Sequence, residues 1–177
     1  MIARALGLAL ASAALWPASL AAQEAWVGVA AHGVDTPLTF DTGEGGVDLQ
    51  AGYRFAPERA LAVIGSPAPY VFALVNSDGD TSLIAAGLSW KRGERLYARP
   101  GIGVAVHDGP SLRVRAGDDL RTDLGSRLLF EPELALGWQA TPRLGIEASW
   151  VHVSHAQLFS GQNPGLDVIG ARLVVKL

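Results

Sequence analysis

The stretch WVHVSHAQLFSGQNPGLD, residues 150–167, contains side chains whose types and spacing suit hydrolytic chemistry. His152 and Ser154 are two residues apart, so on a β-strand their side chains point to the same face. A serine hydroxyl becomes a strong nucleophile when a neighbouring imidazole takes its proton, and a carboxylate holds that imidazole in the required tautomer. The stretch therefore predicts Ser154 as nucleophile, His152 as base and Asp167 as the orienting carboxylate. The same residue types also occur as ordinary polar groups where a strand meets a loop. The position of these residues in the fold must distinguish a catalytic from a non-catalytic role.

The composition narrows the classes of protein and of chemistry. Hydrophobic residues make up 49% of the 177-residue chain and charged residues 18%, which excludes a largely disordered chain and suits one folded domain. The formal net charge of −3 gives no basis for a nucleic-acid partner. The sequence contains no cysteine, so disulfides, thiolate nucleophiles and cysteine-ligated metal sites are excluded.

The first 22 residues have the layout of a secretory signal peptide. One early charge, Arg4, is followed by an apolar run, then by Pro17 and small residues up to Ala22. A membrane-anchoring helix is the alternative, but the run is short for a membrane span and Pro17 interrupts it. We therefore predict an exported chain with a signal peptide at 1–22 and a single β-barrel domain at 23–177.

The rest of the sequence repeats a segment of alternating apolar and polar residues that ends in a cluster of turn-forming residues. An even number of such strands behind a signal peptide is typical of a small outer-membrane barrel, and a closed barrel leaves no unpaired strand edge in lipid. We predict an all-β fold, an eight-stranded antiparallel transmembrane β-barrel of the outer membrane. The predicted strands are residues 25–34, 45–54, 60–75, 81–91, 95–106, 126–139, 143–154 and 167–177.

The connections between these strands alternate in length. If the N-terminus starts in the periplasm, three of the four outward connections are the longest in the chain, and the turns at the other end are tight. Pro67 and Pro69 fall inside the third segment, where we predict a bend or an interruption because proline donates no hydrogen bond to a sheet. A soluble lipocalin-like barrel or a sandwich stays open as the alternative fold, with apolar side chains inside and charges outside.

The alternation of the last two strands predicts where the reactive residues point. His152 and Ser154 continue the apolar face of the seventh strand that includes Ile146, and Asp167 shares the face of Ile169 in the eighth strand. Consecutive antiparallel strands are neighbours, so the three reactive residues are predicted to converge on the lipid-facing surface at the outer end of the barrel. Polar groups are costly on such a surface, which favours a functional role for them.

The segment HVSHA, followed by NPGLD and a final strand, resembles the lipid A 3-O-deacylase (PagL) family, whose eight-stranded outer-membrane barrel carries a His-x-Ser-Asn-Ala motif. The specific part of the resemblance covers residues 150–170, and a looser part covers FEPELALGW, residues 130–138. The resemblance implies hydrolysis of the ester-linked acyl chain at position 3 of lipid A, on the outer surface of the barrel. It also implies lipid A or lipopolysaccharide as the substrate, outer-membrane lipid as the surroundings, and no metal or organic cofactor.

The resemblance assigns three catalytic roles. His152 corresponds to the general base of the family and Ser154 to its nucleophile. Asp167 stands near the position of an acidic residue that is typically Glu in the family, with a slightly longer loop before it. The carboxylate of Asp is one methylene closer to its backbone than that of Glu, so it must reach the imidazole of His152 with a shorter side chain.

The resemblance also indicates how the oxyanion would be held. Asn163, in the segment NPG, resembles a second Asn of the family and is the expected side-chain donor. His155 stands where the family has Asn, and His155 and Ala156 are further residues expected to hold the oxyanion or position the substrate. If position 155 acts through its backbone N–H, the substitution is tolerated, whereas activity is reduced if the side chain takes part.

Two other functions stay open at this point. A non-catalytic structural or adhesin-like outer-membrane barrel would show no functional coupling between His152, Ser154 and Asp167. Another lipid esterase, such as a phospholipase, would use the same three residues on a different substrate. The sequence also leaves open whether the chain acts alone or as a homodimer.

Overall fold

The computed structural model describes residues 23–39, 43–109, 124–158 and 163–177. Within these ranges, no helix is long and apolar enough to cross a membrane. The predicted signal peptide lies outside the described residues. The described strands are β1 (Glu24–Ala31), β2 (Val47–Arg54), β3 (Ala68–Asn76), β4 (Leu83–Ser89), β5 (Arg92–Gly93), β6 (Leu96–His107), β7 (Leu128–Gln139), β8 (Leu144–Val153) and β9 (Leu166–Lys176), and a short 3₁₀ helix spans Arg59–Ile64.

Antiparallel pairing closes these strands into a barrel. Neighbouring long strands pair along the chain, and β9 pairs back onto β1, with Val27 opposite Leu173. The two-residue strand β5 is a small ribbon on β6, and β4 pairs directly with β6. The predicted eight-stranded antiparallel barrel is therefore confirmed, with its eight long strands joined edge to edge.

The strands carry apolar side chains on the outer face of the barrel, and their inner face combines charged side chains with buried apolar ones such as Phe72. Leu136 and Val27 on the outer face are 60% and 59% exposed, whereas Arg54 and Arg172 on the inner face are each 1% exposed. A soluble lipocalin-like barrel would have the opposite distribution. The observed distribution is that of an outer-membrane barrel, whose outer face contacts lipid.

Ion pairs occupy part of the interior, beside a cluster of buried apolar side chains. Glu147 accepts hydrogen bonds from Arg54 Nη2 at 3.1 Å and from Arg99 Nε at 3.1 Å. Arg99 also donates to Glu24 at 2.6 Å, and Arg172 donates to Glu133 at 2.8 Å. Buried charges are tolerated when they are paired and hydrogen-bonded in this way.

The third predicted strand, residues 60–75, is wrong in its first half. Arg59–Ile64 forms a 3₁₀ helix instead, and β3 begins at Ala68. Glu58 caps the helix by accepting the Ala60 N–H at 2.8 Å, and Gly65 ends it with a φ of 90°. The turn between β2 and β3 is consequently longer than the tight turn that the sequence predicts at this end of the barrel.

Candidate active site

The strands β8 and β9 bring His152 and Asp167 together. They are adjacent and antiparallel, and their register sets His152 directly opposite Asp167. Both residues belong to the outward-facing set of their strands, together with Ile146 in β8 and Ile169 in β9, which are 46% and 43% exposed. The geometry places the pair on the outer surface of the barrel, at the end where β8 passes into the loop to β9.

The contact between the two side chains has the geometry of a catalytic His-Asp pair. His152 Nδ1 lies 2.7 Å from Asp167 Oδ1, and the carboxylate is fully buried. A carboxylate is an acceptor, so Nδ1 carries the hydrogen. In the neutral imidazole Nε2 then has the lone pair that a general base needs. In the described part of the chain Nε2 makes no hydrogen bond. The Trp150 indole stacks against the imidazole with ring centroids 6.0 Å apart, which restricts its rotation.

Ser154 lies on the same face, two residues beyond His152 and roughly 6.6 Å along the strand. Its backbone is fixed by two hydrogen bonds with Phe130 of β7, at 2.7 and 3.1 Å. Among the described residues no hydrogen bond joins Ser154 Oγ to His152 Nε2. Such bonds are often open in a substrate-free enzyme and close when the substrate is bound.

A strained turn follows Ser154 immediately. Leu158 N–H donates to the His155 carbonyl at 2.9 Å, and the two central residues, Ala156 and Gln157, have φ of 51° and 59°. These values are those of a type I′ turn, which favours Asn and Gly because other side chains cost about 1 kcal/mol or more there. Backbone strain of this kind is common beside functional residues.

Asn163 fastens this turn to the loop that leads into β9. Its Oδ1 accepts the His155 N–H at 3.0 Å. That N–H therefore already has an acceptor in this structure, and its service to an oxyanion stays a prediction. The amide NH₂ of Asn163 and the N–H of Ala156 stay as the predicted oxyanion donors.

His155 follows the end of β8 and is completely buried. The substitution of His for the Asn of the resembling family therefore places a buried imidazole at this position. Among the residues that the structure describes, no group of three or more His, Asp or Glu side chains could hold a metal ion.

The loop after β1 covers the His-Asp pair, which sequence reasoning missed. Thr36 donates its hydroxyl hydrogen to Asp167 Oδ2, and Val34 N–H donates to the Asp167 carbonyl at 3.0 Å. Gly165 packs against the imidazole so closely that a Cβ there would lie 2.8 Å from His152 Cε1. Thr36 is 131 residues from Asp167 in sequence, so no local spacing could have indicated the contact.

The comparisons with known proteins concern the family and the fold of the chain. Residues 75–176, more than half of the chain, match the family model described as "Lipid A 3-O-deacylase (PagL)". The barrel is similar to the crystal structure of the outer membrane enzyme PagL, with a TM-score of 0.61 and 16% identity over 87% of this chain and 99% of that chain. It is also similar to a de novo designed transmembrane β-barrel, with a TM-score of 0.52 and 12% identity over 88% of this chain and 95% of that chain. No curated protein matches the sequence significantly.

Proposed function

Because the chain belongs to the lipid A 3-O-deacylase (PagL) family, we propose that it is an outer-membrane serine esterase that removes the acyl chain at position 3 of lipid A. The observation that carries the proposal is the 2.7 Å contact between His152 and Asp167, beside Ser154 on the lipid-facing surface. A serine esterase of the triad type uses this combination of nucleophile, base and orienting carboxylate.

The reaction would proceed in two steps, acylation of Ser154 and hydrolysis of the acyl-enzyme. Ser154 Oγ attacks the acyl carbonyl while His152 Nε2 takes its proton, and the oxyanion is held by the Asn163 amide and the Ala156 N–H. His152 then gives the proton to the departing 3-hydroxyl oxygen of lipid A, which leaves an acyl ester on Ser154. A water molecule, deprotonated by His152, hydrolyses that ester, and the proton returns to Ser154. Asp167 keeps the imidazole oriented throughout.

The position of the site suits a lipid substrate. Lipid A resides in the outer leaflet, and the three residues lie at one end of the barrel on its outer face, where lipid replaces water. Polar groups on such a face are costly and need a function or a partner to offset the cost. The apolar side chains around them, such as Phe130 and Ile169, provide a surface for an acyl chain.

Export is part of the same proposal. β1 begins at Glu24, immediately after the predicted signal peptide at 1–22, so removal of that segment would leave the barrel intact. Sequencing the N-terminus of the protein recovered from outer membranes tests it: a start near Gln23 supports cleavage, and a retained Met1 contradicts it.

The activity is tested with the purified barrel, reconstituted in micelles with lipid A. We expect mass spectrometry to show loss of one ester-linked 3-hydroxyacyl chain, and Ser154→Ala to lower the rate by at least about 10³-fold. Ser149→Ala is the matched control, because Ser149 lies on the same strand but faces the interior, where it is 4% exposed.

Each alternative predicts a different outcome of this experiment. If wild type and Ser154→Ala release acyl chains equally, the Ser-His-Asp mechanism is wrong. If wild type cleaves phospholipid and leaves lipid A intact, the protein is a phospholipase. If neither lipid is cleaved by folded wild-type barrel, the protein is a structural or adhesin-like barrel.

A further inference from the structure

Thr36 occupies a position that neither the motif nor the family match includes. It lies in the loop after β1, outside the matched residues 75–176, and its hydroxyl donates to Asp167 Oδ2. We propose that Thr36 is a positioning residue that fixes the Asp167 carboxylate and, through it, the imidazole of His152. The inference rests on the proposed esterase function and adds a fourth side chain to the site.

The two oxygens of Asp167 are used in different directions. Oδ1 receives the His152 Nδ1–H at 2.7 Å, and Oδ2 receives the Thr36 hydroxyl. A carboxylate held through one oxygen rotates about its terminal bond, whereas one held through both oxygens has a single orientation. Because Asp167 is fully buried, water does not replace either contact.

The direction of the Thr36 hydrogen bond is fixed by its own surroundings. Leu38 N–H donates to Thr36 Oγ1 at 3.0 Å, so the hydroxyl oxygen already accepts a hydrogen bond there. Asp167 is an acceptor, so the single hydroxyl hydrogen points to its carboxylate. The backbone of Thr36 is held as well, by donation of its N–H to Thr39 Oγ1 at 3.1 Å. The loop thus presents Thr36 as an oriented donor.

The contact also accounts for the shorter acid. Asp holds its carboxylate closer to β9 than Glu would, which brings Oδ2 within reach of a loop anchored to that strand. The anchor is the backbone hydrogen bond from Val34 N–H to the Asp167 carbonyl at 3.0 Å. In this chain the loop that carries Thr36 is therefore joined to Asp167 by a side-chain and a backbone hydrogen bond.

The test compares Thr36→Val, which removes the hydroxyl and keeps the shape, with Thr36→Ser, which keeps the hydroxyl. We expect Thr36→Val to lower kcat by about 10- to 100-fold at unchanged KM, because a misaligned base slows the chemical step and not binding. Thr36→Ser should stay within about threefold of wild type. Equal losses in both variants, or no loss in Thr36→Val, would overturn the proposal.

A double-mutant cycle separates positioning from general damage to the loop. If Thr36 acts through Asp167, then Thr36→Val has no further effect on the rate in an Asp167→Ala background. Additive losses would assign Thr36 a role that is independent of Asp167, and the proposal would be wrong.

A spectroscopic measurement keeps this proposal distinct from the esterase proposal. The His152 Nδ1–H proton, hydrogen-bonded to a carboxylate, gives a far-downfield NMR signal that can be assigned by its loss in Asp167→Ala. We expect Thr36→Val to shift or broaden this signal and Thr36→Ser to restore it. If wild type deacylates no lipid but the signal responds in this way, the esterase function fails and the positioning contact stands. An unchanged signal in Thr36→Val overturns the positioning contact.

Discussion

Two histidines of the barrel, His32 and His152, each contact an aspartate through Nδ1. They differ in what their second ring nitrogen, Nε2, contacts. His32 Nδ1 lies 2.9 Å from Asp48, as His152 Nδ1 lies 2.7 Å from Asp167. The Nε2 of His32 contacts Glu44 at 2.9 Å, in a buried cluster where Glu44 also accepts the Thr81 hydroxyl hydrogen. The Nε2 of His152, on the lipid-facing side, has no such acceptor in the described residues.

On the proposed function, the difference in the second partner gives the two histidines different roles. An imidazole between two carboxylates donates from both nitrogens, so it is held as a cation and stabilises the fold. An imidazole with one carboxylate keeps a lone pair on its second nitrogen, which is the requirement for a base. We therefore expect the two histidines to differ in what their replacement damages.

The largest effect is expected at His152. His152→Asn removes the base and should lower the rate of acyl release by at least about 10³-fold, while the barrel still folds. The rate is measured by mass spectrometry of lipid A, and folding by the shift between heated and unheated samples on a denaturing gel. If His152→Asn fails to fold, its loss of activity would reflect a structural role, and the contrast with His32 would be wrong.

The interior ion pairs extend the comparison to a purely structural carboxylate. Glu147→Gln removes one of two buried carboxylates that Arg54 and Arg99 share, with Glu24 as the other, and should lower the free energy of unfolding by about 3 kcal/mol. The measurement is urea unfolding followed by tryptophan fluorescence, with the exposed Glu94→Gln as control. The rate of acyl release per folded molecule should not change. A large loss of this rate would contradict the assignment of a purely structural role to Glu147.

The pH dependence of stability should report on His32, which follows β1 and lies outside the spanning strands. Burial disfavours its charged form, but hydrogen bonds and charges of Asp48 and Glu44 outweigh burial and raise the pKa of His32 from 6.5 to about 9. Because the folded-state pKa is the higher one, this stabilisation is complete below about pH 6.5 and is lost as the pH rises through about 9.

Wild type should therefore lose on the order of 2 kcal/mol of unfolding free energy over this range, relative to His32→Gln. Urea unfolding of both proteins at several pH values provides the measurement. Parallel curves would show that His32 is not held as a cation. A loss of activity in His32→Gln as large as that of His152→Asn would show that the two histidines do not have separate roles.

The smallest effect is expected at His155. Its backbone N–H is bonded to Asn163 and the residue is completely buried, so His155→Asn should change the rate by less than about threefold. The rate assay described above checks this. A strong gain in rate would mean that the side chain at this position reaches the reaction after all.

The sequence was sufficient for those parts of the site that depend on local periodicity. The alternation of β8 and β9, joined by one loop, predicts that His152 and Asp167 face lipid together, and the register places them opposite each other. Alternation did not reveal the 3₁₀ helix, because a short apolar run such as residues 60–64 suits a strand equally well.

The contacts of Thr36 and His32 lay beyond sequence reasoning for a different reason. Thr36 meets Asp167 because β1 pairs with β9, which joins the two ends of the described barrel. His32 meets Glu44 through the fold of a single loop whose polar residues have no regular spacing. Such contacts depend on three-dimensional closure and leave no periodic signal.

The pairing of β1 with β9 determines when the site can form during assembly of the barrel. Asp167 is on the last strand and Thr36 follows the first, so the oriented acid exists only when the two ends of the barrel have met. A chain in transit to the membrane carries the reactive residues without their arrangement. On the proposed function, assembly would therefore act as the activation step, and hydrolysis of the substrate would report that insertion is complete.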